Sequence, residues 1–358
     1  MAAFIHRLHH NQHEMRRYLA DRRVHPLDTY TNAELIQRYR FDREGILYIT
    51  NLIYDDIAPR ANRNFPIEPI DKICTALHFY ATGCFQRTDG DTLCISQPSV
   101  SKIISQVTDA LLTKLHQFVH LPNDVERRQN MDRFFGIANF PGIVGLIDGT
   151  HVRIQGPTEN EDQFVNRKRY HSINVQIVVD ASYRIINIDA QWPGSVHDSR
   201  ILRESGLGEI LNNGDGHLLG DSGYPSRRWL VTPFLRPQTP AEERFNRAHK
   251  LTRSMVERAI GQLKRRFHCL HGELRVSPSK ASRIIGCCCI LHNIAKMLNI
   301  PDVEGEDEEV DFNQPPQDNA EQHGLGGQAY RQQIVNNHFT RYVAFRYITI
   351  IMINQYVE

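Results

Sequence analysis

Apolar residues recur at helical spacing through roughly the first third of the chain. The periodicity is clearest in NAELIQRYRFDREGILYITNLIY (32–54) and DKICTALHFYATGCF (71–85), and no alternating strand pattern competes with it there. The sequence therefore predicts an all-helical region over residues 1–135.

Within this region, residues 90–118 have the pattern of a helix-turn-helix. A short helix and a turn precede a longer helix that begins near Ser96 or Gln97, with Pro98 in its first turn, where the missing N–H is harmless. The predicted inward stripe is Ile103, Ile104, Val107, Leu111 and Leu115. The residues that the second helix could present to DNA are Ser99, Ser101, Lys102 and Gln106. An ordinary helical bundle explains the same pattern, and that alternative stays open.

Short strand-like segments begin near residue 140. They are FPGIVGLID (140–148), HSINVQIVVD (171–180), RIINIDAQW (184–192) and GHLLGDSGY (216–224). The second and third are separated by the turn Asp180–Tyr183 and should pair as a hairpin. A short helix is expected in PGSVHDSRILRES (193–205) and longer helices over 240–300. This order predicts an α/β domain over 140–300, a mixed sheet flanked by helices.

The last segment, 301–358, lacks a clear fold pattern. Its acidic and Gln/Gly-rich part, to about residue 328, is typical of a disordered linker. The following FTRYVAFRYITIIMINQYVE (339–358) is apolar and could add a strand or bind a partner. No stretch of the chain is apolar enough to span a membrane, and the N-terminus lacks a signal-peptide core, so we expect an intracellular protein without membrane contact.

Cysteine usage fits reduced thiols better than disulfides. The chain has seven cysteines, an odd number, and Cys287, Cys288 and Cys289 are consecutive in an apolar segment. A zinc site built from these and His292 is a weak alternative, because no Cys-x-x-Cys spacing accompanies them.

Charge is unevenly distributed although the net charge is only +1. The segment DVEGEDEEVD (302–311) carries seven acids, so the rest of the chain is at +8. Residues 244–275 hold nine Lys or Arg and only two acids, Glu257 and Glu273. Such a stripe suits a polyanion, and a solvated helix face is its structural alternative.

Four carboxylates stand out by position: Asp148, Asp198, Asp221 and Glu257. Each has a structural alternative. Asp148-Gly149 could form a tight hairpin, Asp198 could complete a capping box with Ser195, and Asp221 could form a turn. Glu257 could simply pair with Arg253, one helical turn earlier.

A shared crevice explains all four acids together. If the first strand and GHLLGD are parallel neighbours, Asp148 and Asp221 converge at their carboxyl ends. Glu257 lies beside an apolar stripe (Val256, Ile260, Leu263, Phe267) that would pack its helix on the sheet. Clustered carboxylates repel unless cations bind, and oxygen ligands suit Mg²⁺ or Mn²⁺. The sequence shows no His or Cys cluster, which agrees. Asp180 and Asp189 are predicted to be structural.

Six motifs in order resemble the DDE domain of the PIF/Harbinger transposases and of the animal nucleases derived from them. They are DGTHVRI, NRKRYHSINVQIVVD, PGSVHDS, LLGDSGY followed by TPF, FNRAHKLTRSMVERAIGQLKRRF and CCCILHNI, between Asp148 and Ile294. The helical N-terminal region resembles the family's DNA-binding part. The resemblance implies an RNase H-like fold with catalytic, metal-binding Asp148, Asp221 and Glu257, and with Asp198 as a fourth metal ligand.

The chemistry implied is attack on a DNA phosphodiester assisted by two divalent ions. Residues expected to hold phosphates are Arg167, Lys168, Arg169, Lys264, Arg265 and Arg266. The resemblance further implies a nuclear protein with a cytoplasmic pool, a Myb-like DNA-binding partner and a capacity to form homo-oligomers. Two alternatives remain: a ribonuclease H-type activity, and a domesticated DNA-binding protein that no longer cuts.

Overall fold

The computed structural model describes residues 25–59, 66–212, 214–303, 305 and 325–340. The chain forms two compact units, each assembled from separate segments. The first comprises Met1–Val119, Val152–Ile173 and Gln262–Glu306, and the second comprises His120–His151, Asn174–Gly261 and Asp307–Glu358. Each unit is described separately below.

Helices dominate the described part of the chain before residue 140, where no strand occurs. These helices are α1 (Pro26–Thr29), α2 (Asn32–Tyr39), α3 (Arg43–Leu52), α4 (Tyr54–Ile57), α5 (Pro69–Thr82), α6 (Gln86–Leu93), α7 (Gln97–Leu112), α8 (Leu115–Phe118) and α9 (Asp124–Ala138). Local sequence fixes several starts. Thr31 and Glu34 form a capping box on α2, and Asn123 and Glu126 form one on α9.

The predicted short helix, turn and longer helix correspond to α6, the turn after it, and α7. Ser96 is the N-cap of α7 and Pro98 lies in its first turn. Val100, Ile103, Ile104, Val107 and Leu111 are buried along one face. Leu115 is only half-buried and begins α8, so it is not part of this stripe.

Buried thiols contribute to the core of the first unit, which is the packing role that the sequence predicts for Cys287, Cys288 and Cys289. All seven cysteines are free, and Cys287, Cys288 and Cys289 are completely buried on α14 (Pro278–Met297). Burial raises the pKa of Cys287 to about 12, so this thiol stays protonated.

A five-stranded sheet in the order β3-β2-β1-β4-β5 forms the framework on which the second unit is built. Its strands are β1 (Ile143–Arg153), β2 (Ser172–Val179), β3 (Ile185–Pro193), β4 (His217–Leu219) and β5 (Leu230–Val231). The pairs β1–β4 and β4–β5 are parallel. The short connection between β2 and β3 makes them an antiparallel hairpin, so the sheet is mixed.

Helices α11 (Asp198–Glu204) and α12 (Leu207–Leu211) accompany this sheet in the second unit, and α13 (Pro240–Arg266) begins there. A mixed sheet with helices is the α/β class that the sequence predicts. The first unit contains α10 (Glu161–Phe164), a 3₁₀ turn (His268–Leu270) and α14. Within the second unit, Val144, Ile147, Val178, Leu218 and Leu230 form a buried core with residues of α11 and α12.

Strand β1 does not end at Asp148. It continues through Gly149 to Arg153, so the predicted strand end at residue 148 is wrong and the hairpin alternative is excluded. Gly149 is absent from the glycines with positive φ, a conformation that an Asp-Gly hairpin turn requires.

A helix occupies the end of the expected linker. Residues Leu325–Ile334 form α15, followed by a π-helical turn over Val335–Phe339. The side chain of Arg244 donates two hydrogen bonds, of 3.0 and 2.7 Å, to the carbonyl of Phe339. Arg244 thus connects the end of this helical segment to α13, and the linker prediction does not hold for residues 325–328. Most of the acidic run, and residues 341–358 of the apolar tail, lie outside the described residues. No helix among the described residues has the length and hydropathy needed to cross a bilayer.

Candidate metal centre

Asp148 and Asp221 lie at equivalent positions on neighbouring parallel strands. Leu146 of β1 pairs with Leu219 of β4, and each aspartate follows its leucine by two residues. The sequence prediction that these strands are parallel neighbours is confirmed. The two carboxylates therefore emerge side by side at one edge of the sheet.

Helix α13 supplies Glu257 and, one turn earlier, Arg253. The Arg253 Nη1 atom is 3.0 Å from Glu257 Oε1 and 3.6 Å from Asp148 Oδ2. All three side chains are largely buried, with 13–17% of their surface exposed. The ion pair between Glu257 and Arg253 thus exists, and Arg253 also connects Glu257 to Asp148 on β1.

Asp198 occupies the first turn of α11, beside β1. Asn174 Nδ2 donates a hydrogen bond of 2.8 Å to Asp198 Oδ1. A Cβ atom at Gly149 would lie only 2.8 Å from the same oxygen, so the carboxylate packs directly against the β1 backbone. The N-cap of α11 is His197. The alternative explanation of Asp198, a capping box with Ser195, is therefore excluded.

The four acids influence one another electrostatically. Burial raises the pKa of Asp148 to about 7; Arg253 opposes the rise, while Asp221, Glu257 and Asp198 add to it. Burial also opposes the charge on Arg253, yet Asp148, Asp221 and Glu257 leave its pKa above the ordinary value. Three carboxylates thus act on the buried Arg253 guanidinium, and Asp198 adds to the negative charge around Asp148, an arrangement that favours additional cations.

Tyr224 lies close to these carboxylates. Its side chain is fully buried, and its hydroxyl has no hydrogen-bond partner among the described residues. Burial raises its pKa well above the usual value, and Asp198, Asp148 and Asp221 raise it further. The hydroxyl therefore stays protonated next to the acids.

The donor set fits a hard divalent cation. Every candidate ligand is a carboxylate oxygen, the ligand type that Mg²⁺ and Mn²⁺ prefer. Two of these acids are already fixed by hydrogen bonds, because Gly223 N donates to Asp221 Oδ1 (2.9 Å) and Asn174 holds Asp198. The turn-forming role of Asp221 is therefore real, and it orients the side chain.

Asp180 and Asp189 have structural partners. Asp180 is buried in the β2–β3 turn, where its Oδ1 accepts from Ser182 N and Arg184 N. Asp189 accepts a hydrogen bond of 2.9 Å from the indole of Trp192.

The two predicted phosphate-binding groups differ in exposure. Arg167, Lys168 and Arg169 are exposed in a turn, where Asn166 Oδ1 accepts from Lys168 N. Lys264 and Arg265 are half-buried.

Arg266 corrects the prediction. It is only 1% exposed, and its guanidinium donates to the carbonyls of Arg40, Ile300 and Pro301. Because its guanidinium is buried and already hydrogen-bonded inside the protein, Arg266 does not belong to the phosphate-binding set.

On α7, the candidate DNA-contacting residues keep some exposure. Lys102 is exposed, and Ser99, Ser101 and Gln106 are half-buried. Ser99, Lys102 and Gln106 lie on one side of the helix, whereas Ser101 lies about 160° around the axis from Ser99.

Sequence reasoning missed three residues of the acidic site. Arg253 was identified only as a partner of Glu257, whereas it also pairs with Asp148. Asn174 lies within a strand and Tyr224 within a turn, where the sequence shows only their local context. No local sequence signal identifies Asn174 as a partner of Asp198. The four-residue spacing of Arg253 and Glu257 does predict their ion pair, but not the contact of Arg253 with Asp148.

The expectation of no His or Cys cluster is also wrong. In the first unit, ligand atoms of His78, Cys84 and Asp89 lie within 4.8 Å of one another. The three residues lie within twelve positions of one another, on two consecutive helices and the turn between them, and none of them is one of the three consecutive cysteines.

The fold and the site together define a class: an α/β protein with an all-carboxylate centre at the edge of two parallel strands. Comparison with known proteins agrees, since residues 147–293 match the family model described as DDE superfamily endonuclease. The chain is 38% identical over 324 residues to the rat (Rattus norvegicus) protein named "Putative nuclease HARBI1", covering 88% of this chain and 93% of the relative. The chain belongs to this family of Harbinger transposase-derived nucleases.

Two further relatives are less similar in sequence. The Xenopus laevis protein of the same name is 35% identical, over 88% of this chain and 92% of its own. The Arabidopsis thaliana "Protein ALP1-like" is 26% identical, over 74% of this chain and 70% of its own. No solved structure matches the chain.

Proposed function

We propose that this protein is a divalent-metal-dependent nuclease of RNase H-like fold that cleaves DNA phosphodiester bonds. The observation that carries the proposal is the in-register placement of Asp148 and Asp221 on parallel strands, with Glu257 tied to Asp148 through Arg253. Asp148, Asp221 and Glu257 would be the catalytic carboxylates, and Asp198 would complete the metal-binding set.

The chain itself would position the reaction. Bound Mg²⁺ or Mn²⁺ would lower the pKa of an attacking water or 3′-hydroxyl and stabilise the leaving oxygen. Arg253 holds Asp148 and Glu257 within 3.6 and 3.0 Å, so the carboxylates are oriented before any ion binds. Asn174 and the Gly223 amide orient Asp198 and Asp221 in the same way. The same site could support strand transfer if a DNA 3′-hydroxyl replaced water.

Nucleic-acid contacts are proposed at positions on the first unit. The backbone-contacting set is Arg167, Lys168, Arg169, Lys264 and Arg265, and the α7 set is Ser99, Ser101, Lys102 and Gln106. Such cations fix DNA by its phosphates and do not by themselves read sequence. A Myb-like partner, homo-oligomerisation and nuclear localisation with a cytoplasmic pool remain part of the proposal.

A nicking assay on purified protein tests the central claim. Supercoiled plasmid DNA and an RNA–DNA hybrid are each incubated with Mg²⁺, with Mn²⁺ and with a chelator. We expect DNA nicking that requires the metal and is lost in Asp148→Asn and in Asp221→Asn. Asp132→Asn, on an exposed position of α9, is the matched control and should cut normally.

The other outcomes separate the alternatives. Cleavage of the hybrid but not of DNA would identify a ribonuclease H-type enzyme. DNA binding without metal-dependent nicking would overturn the nuclease proposal in favour of a binding protein. Unchanged nicking in both aspartate variants would exclude this carboxylate centre.

A further inference from the structure

Three chemically different ligand atoms meet in the helical part of the first unit. His78 lies on α5, Cys84 in the turn that follows it, and Asp89 on α6. His78 Nδ1 is 2.5 Å from Asp89 Oδ1, and the Cys84 thiol donates to the same oxygen over 2.9 Å. The ligand atoms of all three side chains therefore lie close together, within 4.8 Å of one another.

The backbone between the helices produces this convergence. Gly83, at φ 67°, ends α5 in the left-handed conformation and reverses the chain. The hydroxyl of Thr82 then accepts a hydrogen bond from Cys84 N. The ring of Tyr39, at the end of α2, packs against the ring of His78 on α5, with centroids 6.0 Å apart. The three side chains are thus held by local structure.

Asp89 is the unusual member. It is 0% exposed, and its Oδ2 has no hydrogen-bond partner among the described residues. A buried carboxylate with an unpaired oxygen is costly unless a cation or donor compensates it. Its Oδ1 already accepts from two partners, so the unpaired oxygen calls for a further partner.

We propose that His78, Cys84 and Asp89 bind one Zn²⁺ ion, separate from the metal centre of the nuclease site. Imidazole nitrogen, thiolate sulfur and carboxylate oxygen are the three ligand types of zinc sites, whereas Mg²⁺ does not take a thiolate. Three protein ligands leave the fourth tetrahedral position for water.

The geometry requires only a small adjustment. Tetrahedral zinc at its usual bond lengths separates donor atoms by about 3.4–3.6 Å. The donors here lie within 4.8 Å of one another. Replacing the hydrogen-bonding protons by the ion would move Asp89 Oδ1 away from its two partners by less than about 1 Å. The Cys84 thiol proton would pass to solvent as the Zn–S bond forms, and neutral His78 would coordinate through Nδ1 with its remaining proton on Nε2.

A cavity gives the ion a path to the thiol. Its volume is about 510 Å³, and Cys84 is part of its lining, together with Gln86, Arg87, His268 and Arg275. All of these residues belong to the first unit. Cys84 is half-exposed, so this ligand is reachable from solvent.

Cobalt substitution tests the proposal with a signal that is independent of nuclease activity. The full-length reduced protein is titrated with Co²⁺, then with Zn²⁺. We expect one thiolate-to-cobalt charge-transfer band per chain, bleached by one equivalent of Zn²⁺ and untouched by excess Mg²⁺. Cys84→Ser should remove the band and weaken Zn²⁺ binding at least tenfold; His78→Gln should also weaken it.

Matched controls identify the site. Cys94→Ser, a half-exposed cysteine nearby in sequence, and Asp148→Asn should both keep the band at full intensity. Absence of the band in the folded wild-type protein would overturn the proposal. Its persistence in Cys84→Ser would also do so, and its loss in Cys94→Ser would place the thiolate elsewhere.

Discussion

At the scale of single residues, Asp148 carries a charge that its surroundings disfavour. Burial raises its pKa to about 7 from a usual value near 4, and three neighbouring carboxylates act in the same direction. Arg253 offsets this only in part. Because the folded pKa exceeds the unfolded one, the folded protein binds the proton more tightly than the unfolded chain does.

This difference makes stability depend on pH when divalent ions are absent. Between about pH 4 and pH 7, the contribution of Asp148 to the free energy of unfolding decreases as the pH rises. Above pH 7 the carboxyl group is ionised in both the folded and the unfolded state, so the decrease is complete. Asp148→Asn should therefore raise the free energy of unfolding by on the order of 2 kcal/mol at pH 8.5 and by much less at pH 4.5. Urea unfolding at both pH values, with a chelator present, measures the difference.

Asp132→Asn is the matched control, because Asp132 is exposed and should give no comparable gain. An equal effect of Asp148→Asn at both pH values would mean that its carboxylate is not the titrating group. Added Mg²⁺ should make the wild-type protein more stable than Asp148→Asn at pH 8.5, since only the wild-type site gains the full free energy of ion binding.

Strand and helix context in the sequence singles out the four candidate carboxylates Asp148, Asp198, Asp221 and Glu257, but it does not show the positive charge that balances them. The role of Arg253 could not be found in this way, because the spacing to Glu257 shows an ordinary helical ion pair. Only the packing of α13 reveals its second contact, 3.6 Å to Asp148.

At the scale of elements, β1 performs two tasks. Its first half pairs with β4 in the core, and its continuation past Asp148 brings Gly149 against the Asp198 carboxylate. The sequence could not show this continuation, since Asp-Gly is equally typical of a hairpin turn. Strand pairing decided between the two structures.

Gly149 should therefore be required for the position of Asp198. In Gly149→Ala the new methyl group would meet Asp198 Oδ1 at 2.8 Å, so the carboxylate would have to move. We expect about tenfold weaker activation by Mg²⁺, on the scale of losing a positioning contact in a metal site. The Mg²⁺ concentration for half-maximal nicking measures this, with circular dichroism to show an intact fold.

Gly136→Ala is the matched control, because no atom lies within 4 Å of the position that its Cβ would occupy. This variant should nick DNA with wild-type Mg²⁺ dependence. If Gly149→Ala did the same, Asp198 would not belong to the metal-binding set.

At the scale of the whole molecule, the chain divides its chemistry between two units. The four carboxylates of the candidate metal centre belong to the second unit, and the helix α7 belongs to the first. The sequence predicted a helical region and an α/β region. It did not predict that Val152–Ile173 and Gln262–Glu306 join the first unit, because such grouping depends on contacts distant in sequence.

This division predicts that DNA affinity and the rate of cutting can be changed separately. Lys102 is exposed on α7, and a phosphate contact there would add to affinity without touching the reacting atoms. Lys102→Gln should raise KM for DNA and reduce the slope of log Kd against log salt by about one, with kcat unchanged. Fluorescence anisotropy at several salt concentrations and steady-state nicking measure the two effects.

Lys114→Gln is the matched control for this experiment. Lys114 Nζ lies 3.8 Å from Asp56 Oδ2, so its charge is already partly balanced and its loss should leave the salt dependence nearly unchanged. If Lys102→Gln instead lowered kcat at constant KM, the exposed face of α7 would act on the chemical step rather than on binding. Equal slopes of log Kd against log salt for wild type and Lys102→Gln would exclude Lys102 of α7 from the DNA interface. That result would not affect the proposal that the carboxylate centre is catalytic.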